Sequence, residues 1–175
     1  ISGQDGKMLH VKKKEMADGK DLGFVGQIDH VDSEIIKNIL DRDYVPIICP
    51  IGYDDEYLPY NINADDAAYS VATSLKAAKL AFLTDVEGLY SDFNDKSTLI
   101  SEIRIDDAKA LLQSGDIKGG MIPKLTNCIS AIEKGVSRVH ILDGRIPHSL
   151  LLEIFTNKGV GTAIIGNNEE KFMKD

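Results

Sequence analysis

Apolar and polar stretches along the chain predict strands and helices that alternate. Two strand-like stretches, residues 8–14 and 22–31, flank an Asp-Gly turn signal and predict a β-hairpin near the N-terminus. Short apolar runs predict further strands at residues 44–51, 79–85, 137–144 and 161–166, the first three of them buried. Apolar spacing, capping residues and terminal glycines predict helices at residues 32–42, 65–77, 106–114, 121–134 and 147–155. The order predicts an α/β fold, with a mostly parallel central sheet flanked by helices.

Length and composition indicate one ordinary globular domain, since the chain has 175 residues of which 43% are hydrophobic. The formal net charge of −8 argues against nucleic acid or an anionic membrane as a partner. No apolar run approaches the ~20 residues that cross a bilayer, and no signal peptide is recognisable. We therefore expect a cytoplasmic protein.

The cysteines and histidines show no metal-ligand spacing. Cys49 and Cys128 both lie in apolar segments, so we expect reduced thiols in the core. The four histidines are scattered, at His10, His30, His140 and His148. No metal site is predicted.

The segment PYNINADDAAYS (59–70) has three polar residues at alternating positions before an alanine-rich run that favours a helix. In an extended segment, Asn61, Asn63 and Asp65 would face the same side. One of them can cap the helix. Three together can instead form a polar binding surface, and this segment alone leaves both interpretations open.

The segment GDIKGGMIPK (115–124) predicts a site for an anion at the start of a helix. Gly119 and Gly120 allow close approach of a ligand to the backbone, and Pro123 suits a first helical turn. The free N–H groups of such a turn attract phosphate. Lys124 opposes the helix dipole there, which is favourable beside a bound phosphate. The alternative is a solvent-facing lysine that follows a glycine turn.

A second polar segment, LTDVEGLY (83–90), follows a predicted buried strand. Thr84 and Asp85 lie where that strand ends, and ligands of α/β proteins gather beyond the carboxyl ends of parallel strands. These residues suit a nucleotide, although aspartate is also common in ordinary turns.

Six segments together resemble the amino-acid kinase family, in the branch that phosphorylates N-acetyl-L-glutamate in arginine biosynthesis. They are SGQDG, DLGFVGQI, YNINADDAA, LTDVEGLY, GGMIPK and VHILDGRIPHSLLLEIFTNKGVGT. The resemblance covers nearly all of the chain. It implies that residues 1–175 are the C-terminal, nucleotide-binding half of the kinase domain, without the N-terminal half that supplies further substrate and phosphate contacts. By itself this chain is then expected to be inactive.

The resemblance also implies roles for individual residues. Asn61 and Asn63 would bind the acetylated amino acid, Asp65 would orient catalytic lysines, and Lys124 would stabilise the transferring phosphoryl group. ATP, which carries Mg²⁺ on its phosphates, would be held by two segments. Their residues are Thr84, Asp85, Val86, Glu87, Gly88, Leu89, Tyr90, Asp116, Ile117, Lys118, Gly120 and Met121.

The implied reaction is the transfer of the ATP γ-phosphoryl group to the side-chain carboxylate of N-acetyl-L-glutamate. That carboxylate is ionised at pH 7, with a reference pKa of about 4.3, so no general base is required. Positive charge and positioning should carry the catalysis. The alternatives are another kinase of the family, acting on carbamate, uridylate or glutamate, or a non-catalytic arginine-binding regulatory module.

The segment HSLLLEIFTNKGVGT (148–162) resembles the C-terminal segment of family members that L-arginine inhibits. Glu153 could pair with a guanidinium, and the turn that contains Gly161 could contact the α-substituents of arginine. The alternative is a packed helix on which Glu153 is the exposed position. The resemblance further implies a homo-oligomer, either a dimer or a hexamer.

Overall fold

The structure is a computed structural model that describes residues 1–16, 19, 21–92, 95–117, 119–156 and 159–169. Contacts within the chain define two compact units, Ile1–Leu75 and Lys76–Asp175. In the described part of the chain, none of the helices combines the length and the hydropathy that crossing a membrane requires.

The unit Ile1–Leu75 is built on a small β-barrel. Its elements are a 3-10 turn (Asp5–Lys7), β1 (Leu9–Glu15), β2 (Asp21–Val31), α1 (Glu34–Leu40), β3 (Ile51–Tyr53), β4 (Pro59–Asn61) and α2 (Ala64–Leu75). β1 and β2 pair antiparallel, which confirms the predicted hairpin. Parallel pairs β1–β3 and β2–β4, together with the antiparallel pair β3–β4, close the barrel in the order β1-β2-β4-β3.

A cluster of apolar side chains from the strands and both helices forms the core of this unit. Its buried members are Met8, Leu9, Val11, Ile36, Tyr60, Ile62 and Ala67. The helix predicted at residues 32–42 is α1, and the Asp32 carboxylate caps it by accepting the Glu34 N–H at 3.0 Å. Each helix therefore covers the barrel with its apolar face.

The prediction of a buried strand at residues 44–51 is wrong. The side chains of Tyr44, Val45 and Ile47 are 69%, 86% and 80% exposed, and of this run only Ile51 belongs to a strand. A buried parallel strand needs hydrogen-bonded neighbours along its length. Here the Cys49 N–H donates to the Ile1 carbonyl at 2.8 Å, in an isolated parallel bridge that forms no ladder. An apolar segment that is not hydrogen-bonded to neighbouring strands along its length does not form a buried strand.

The prediction that both cysteines lie in the core is correct for one of them and wrong for the other. Cys128 is fully buried on a helix, as expected, but Cys49 is exposed because the strand predicted around it does not form. Neither Cys49 nor Cys128 forms a disulfide.

The unit Lys76–Asp175 contains a four-stranded sheet flanked by helices. Its elements are β5 (Lys79–Thr84), β6 (Leu89–Tyr90), a 3-10 turn (Lys96–Thr98), β7 (Leu99–Ile100), β8 (Glu102–Arg104), α3 (Ile105–Gln113), α4 (Met121–Glu133), β9 (Arg138–Asp143), α5 (Ser149–Phe155) and β10 (Thr162–Ile165). β6, β7 and β8 are short strands, of two, two and three residues, that the sequence analysis did not predict.

The sheet has the order β5-β9-β10-β8, and two of its three neighbouring pairs are parallel. β9, which runs down the centre, is buried at five of its six residues. Helices α4 and α5 both contact β9, and α3 contacts α4 and β8. The predicted α/β class, with a mostly parallel sheet flanked by helices, is confirmed.

Candidate functional site

The carboxyl ends of β5 and β9 lie side by side at one edge of the sheet. Thr84 is opposite Asp143 in the parallel register, and the Gly144 N–H donates to the Thr84 carbonyl at 2.8 Å. Ligands of α/β folds bind beyond such ends. We define the carboxyl edge as Thr84, Asp85, Asp143 and Arg145. The first two were predicted from the sequence and the last two were not.

Asp143 and Arg145 form a bidentate ion pair at the carboxyl edge. The guanidinium donates from Nε to Oδ1 at 2.9 Å and from Nη2 to Oδ2 at 2.8 Å, and the Arg145 backbone N–H also donates to Oδ1. These bonds from Arg145 lower the pKa of Asp143 to about 2. The carboxylate is buried, whereas the Arg145 side chain is 65% exposed. A positively charged group is thus held at the edge with further N–H donors facing solvent, as anion recognition requires.

The sequence contains a feature that could have indicated the Asp143–Arg145 pair. Asp143 is the last residue of a buried strand and precedes a glycine, and the predicted Asp85 comes directly after the neighbouring strand. Parallel neighbours end at the same edge of a sheet, but which strands are neighbours became known only from the fold.

Glu87 is engaged by other side chains of its own loop. Lys96 Nζ donates to Oε1 at 3.1 Å, and the Tyr90 hydroxyl donates to Oε2. The bonds from Tyr90 and then Lys96 lower the pKa of Glu87, whereas burial, followed by the bond to Glu87, raises the pKa of Tyr90 to about 12. Both oxygens of Glu87 are therefore used to shape the segment.

Residues 86–89 are held in place from the far side of the sheet. The buried Thr162 hydroxyl accepts the Leu89 N–H at 2.8 Å and donates to the Ile100 carbonyl at 2.6 Å. A Cβ at Gly88 would lie 2.5 Å from the Thr162 Oγ1, so only glycine fits. Val86, half-buried, lies between these anchors and the carboxyl edge.

Helix α4 begins without a side-chain cap. Gly119 has a φ of +59°, and Gly120 occupies the N-cap position without a side chain that could accept an N–H. The first turn contains no acidic residue and has Pro123 at its third position. The positive end of a 13-residue helix is left without an anionic partner of its own in this turn, as predicted for an anion site.

The other predicted residues of this turn have different surroundings. Asp116 is exposed, and its N–H is bonded to the Ser114 hydroxyl at 3.2 Å. Ile117 and Met121 are half-buried. Lys118 lies outside the described residues.

Lys124 lies on the first turn of α4 and leans over β5. Its Nζ is 5.3 Å from the centre of the ring of Phe82, a buried residue two positions before Thr84. A cation over an aromatic face is stabilised by the ring quadrupole. The contact holds the ammonium beside the strand that ends at the carboxyl edge.

In the unit Ile1–Leu75, Asn61 and Asn63 have different structural roles. The Asn63 Oδ1 accepts the N–H groups of Asp65 and Asp66 at 2.9 and 3.2 Å, which makes Asn63 the cap of α2. Asn61 is exposed at the end of β4, with the buried Ile62 between the two amides. The predicted alternation holds from 61 to 63 and ends there, because Asp65 is already helical.

Glu153 is buried, so the alternative that made it the exposed position of a packed helix is wrong. Its side chain is 6% exposed, while Leu151 and Phe155 on the same helix are 54% and 78% exposed. Oε1 is 2.9 Å from His140 Nδ1, and Oε2 accepts the Val160 N–H at 2.7 Å. Burial alone would raise the pKa of Glu153, but the bonds from His140 and Val160 outweigh it and lower the pKa.

Gly161 shares this environment. Its N–H also points to the Glu153 Oε2, at 3.3 Å. A Cβ at Gly161 would lie 2.2 Å from the Ile141 carbonyl oxygen on β9. Glu153 thus joins α5 to the turn before β10, and glycine lets that turn pass close to β9.

The statement that the histidines form no cluster is wrong. His10 and His30 lie opposite each other on β1 and β2, with ring centres 4.6 Å apart, and Asp29 lies against both. The residues are 20 positions apart, so their proximity depends on the hairpin register, which the sequence does not show.

Comparison with known proteins identifies the family to which the chain belongs. The sequence pattern of the amino acid kinase family matches residues 1–143, and the chain belongs to that family.

Particular relatives are acetylglutamate kinases. The chain is 53% identical over 164 residues to the acetylglutamate kinase of Caldanaerobacter subterraneus subsp. tengcongensis, which covers 94% of this chain and 54% of that protein. It is 54% identical over 164 residues to the acetylglutamate kinase of Campylobacter jejuni subsp. jejuni serotype O:6, which covers 94% of this chain and 57% of that protein. The chain spans about half the length of the curated relatives it matches.

Solved structures agree with the family. N-acetylglutamate synthase from Neisseria gonorrhoeae, in complex with coenzyme A and L-arginine, superposes with a TM-score of 0.81 at 31% identity, covering 94% of this chain and 37% of that one. Carbamate kinase from Giardia lamblia, bound to AMP-PNP, superposes with a TM-score of 0.67 at 20% identity, covering 91% of this chain and 60% of that one. At that identity the second comparison supports the fold alone.

The Asp143–Arg145 pair should contribute to acid stability in a defined window. The folded pKa of Asp143, about 2, lies below its unfolded value of about 3.9. The contribution is therefore present above about pH 4 and is lost as the pH falls towards 2. We expect the free energy of unfolding to fall less between pH 5 and pH 2.5 in Asp143→Asn than in wild type. Urea unfolding at the two pH values measures this difference. Asp107→Asn, at an exposed position of α3, is the matched control. Parallel stability curves for wild type and Asp143→Asn would contradict the assignment.

Proposed function

We propose that the whole protein is an acetylglutamate kinase, which transfers the γ-phosphoryl group of ATP to the side-chain carboxylate of N-acetyl-L-glutamate. The observation that carries the proposal is identity of 53–54% over 94% of this chain to proteins with that name. A location in the cytoplasm stays a prediction. A homo-oligomer, dimer or hexamer, stays a prediction.

The unit Lys76–Asp175 carries groups suited to the nucleotide. The uncapped first turn of α4 presents N–H groups and the helix dipole to phosphate oxygens. Gly119 and Gly120 have no atoms within 4 Å of the positions where a Cβ would be, so the backbone there is open to a ligand. Arg145 adds a guanidinium at the carboxyl edge. The phosphates of ATP also bring Mg²⁺, which neutralises charge on the transferring group.

The chemistry requires positive charge more than a base. The acceptor carboxylate is ionised at neutral pH, so the barrier lies in bringing an anion to a triphosphate. Lys124 holds its ammonium over the Phe82 ring beside the strand that leads to Thr84. We assign Lys124 the role of stabilising charge on the phosphoryl group in the transition state.

The unit Ile1–Leu75 carries groups suited to the acylated amino acid. Asn61 is exposed and offers both an amide donor and an acceptor. The Asn63 oxygen is occupied by the helix cap, so its amide nitrogen is the part that can contact a ligand. Asp65, on the first turn of α2, is assigned the orientation of catalytic lysines.

Lys124→Ala in the full-length enzyme should lower kcat by ~10²–10³, with a smaller change in KM for ATP, because the lost interaction is strongest in the transition state. Steady-state kinetics with N-acetyl-L-glutamate measure the effect. Lys109→Ala removes an exposed ammonium paired with Glu133 on the neighbouring helix and is the matched control. A near-normal kcat for Lys124→Ala would remove this residue from the mechanism.

Asn61→Ala should raise KM for N-acetyl-L-glutamate and leave KM for ATP nearly unchanged, since an exposed amide in this unit is assigned to the acyl substrate. Asn63→Ala is the comparison: it should also lower stability by ~1 kcal/mol through loss of the α2 cap. If Asn61→Ala instead raised only KM for ATP, the two sites would be assigned the wrong way round. A substrate panel with carbamate, uridylate and glutamate tests the other kinase activities.

We also propose that L-arginine regulates the whole protein through residues 148–162. The support is the resemblance of that segment to arginine-sensitive family members, together with the similarity to a synthase solved with L-arginine. Both oxygens of the buried Glu153 are bonded within the chain, so it is not available for the predicted pairing with a guanidinium and would act by holding the Val160–Gly161 turn in shape. A non-catalytic arginine-binding module would retain this binding without kinase activity.

Glu153→Gln should weaken arginine inhibition several-fold, because an amide cannot accept from both His140 and the Val160–Gly161 turn. An arginine titration of kinase activity, with kcat in its absence as reference, measures this effect. Asp107→Asn again serves as control. Equal inhibition of wild type and Glu153→Gln, or none in wild type, would sink the regulatory proposal and leave the kinase proposal standing.

A further inference from the structure

Two histidines and an aspartate meet on the β1–β2 hairpin, outside the residues assigned to the kinase reaction. His10 on β1 is opposite His30 on β2, and Asp29 precedes His30. One ligand atom from each lies within 4.8 Å of the other two. The three side chains line a cavity of about 460 Å³ that also includes Asp55 and Tyr53.

His10 has one ring nitrogen bonded and one without a hydrogen-bond partner. The residue is 9% exposed. Its Nε2 is 2.9 Å from the Asp55 Oδ1. A carboxylate can only accept, so Nε2 carries the hydrogen, and in neutral imidazole Nδ1 then has a free lone pair. Nδ1 is buried and has no hydrogen-bond partner among the residues that the structure describes.

The lone pair of His10 Nδ1 faces the Asp29 Oδ2. Two electron-rich atoms that face each other repel, and a cation between them would remove the repulsion. His10 Nδ1 is 3.6 Å from the Asp29 Oδ2, and His30 Nδ1 is 3.4 Å from the same oxygen. Both distances are longer than the 2.7–3.2 Å typical of an N–H···O bond, and the contact of His30 is a long hydrogen bond. Tetrahedral ligands bound to Zn²⁺ at 2.0–2.1 Å lie about 3.3–3.4 Å from each other, which is close to these two nitrogen–oxygen distances.

Lys12 and Asp55 orient the side chains of the cluster, although the ammonium groups of Lys7 and Lys12 also line the cavity. Lys12 binds the other oxygen of Asp29, Oδ1, and leaves Oδ2 directed at the histidines. Asp55 stands behind His10 as the carboxylate that orients a metal-bound imidazole and fixes its tautomer.

We propose that His10 Nδ1, His30 Nδ1 and Asp29 Oδ2 bind one divalent transition-metal ion, with Zn²⁺ as the representative ion and water from the cavity as the fourth ligand. Imidazole nitrogen selects such ions over Mg²⁺, which prefers oxygen ligands. The side chain of His30 is 59% exposed, and its ring would have to leave its stack on His10 and its contact with Asp29 to direct a lone pair at the ion. The ion would join the two strands of the hairpin across a directly opposed residue pair.

The competing arrangement is a doubly protonated His10 between Asp29 and Asp55. It satisfies the same two carboxylates with protons and needs no metal. Metal uptake and the protonation of the two His10 nitrogens therefore distinguish the arrangements.

The first experiment measures Zn²⁺ binding by isothermal titration calorimetry on the full-length protein, in a Cys49→Ser background that removes an exposed thiol. We expect one Zn²⁺ per chain and no comparable binding of Mg²⁺. His30→Asn, at an exposed position, should keep the fold and weaken binding by ~100-fold or more. Asp55→Asn should weaken it by about 10–100-fold, as loss of an orienting carboxylate does.

His148→Asn is the matched control, since it removes another exposed histidine that lies outside the cluster. Binding that is absent in the parent, or that survives in His30→Asn at full strength, would overturn the proposal.

The second experiment observes the imidazole nitrogens by long-range ¹H–¹⁵N NMR of protein labelled in histidine. Without metal, His10 should carry its hydrogen on Nε2 alone, and Zn²⁺ should shift the Nδ1 resonances of His10 and His30 together. A His10 that is protonated on both nitrogens at pH 7.5 and unchanged by Zn²⁺ would establish the competing arrangement. The readout does not involve kinase activity, so its outcome is independent of the proposed function.

Discussion

The parallel ladder between β5 and β9 is the constraint on which the unit Lys76–Asp175 depends. Six residue pairs run in register from Lys79↔Arg138 to Thr84↔Asp143, so both strands end at one edge. Two polar strand ends far apart in sequence become one surface, at which Arg145 is fixed by a buried carboxylate. A shift of one residue in this ladder would separate those groups and turn the alternate side chains to the other face.

Buried polar groups then hold the loops around that edge. Thr162 bonds to Leu89 and Ile100, and Glu153 bonds to His140 and the turn before β10. Each of these side chains satisfies donors or acceptors of segments that are remote in sequence. Leaving such groups unpaired in a buried setting costs about 1–3 kcal/mol each, so the contacts also restrict the loops to one arrangement. Positioning of this kind would serve the phosphoryl transfer proposed for the whole protein.

The unit Ile1–Leu75 uses the same principle on a smaller scale. Closing four short strands into a barrel removes free strand edges and brings β1 and β2 into a fixed register. That register places His10 opposite His30 and aligns Asp29 with both rings. The Asn63 cap in turn fixes where α2 begins and so where Asp65 lies. The arrangement of Asn61, Asn63 and Asp65 and that of the cluster formed by His10, Asp29 and His30 thus both depend on strand pairing and capping within this unit.

The sequence by itself determined the α/β class, the hairpin, the positions of most helices and the Thr84–Asp85 and Gly119–Lys124 segments, because periodicity, capping and glycine turns are local signals. The combined motifs also identified the family. Only the tertiary structure decided that Asp143 and Arg145 join the carboxyl edge, that Glu153 is buried while the leucines around it are exposed, and that residues 44–48 form no buried strand. These outcomes depend on which strands pair and in which register. Strand pairing is a contact between residues that are distant in sequence. A hydrophobic pattern indicates that a segment tends to be buried, but it does not indicate which strand is its partner.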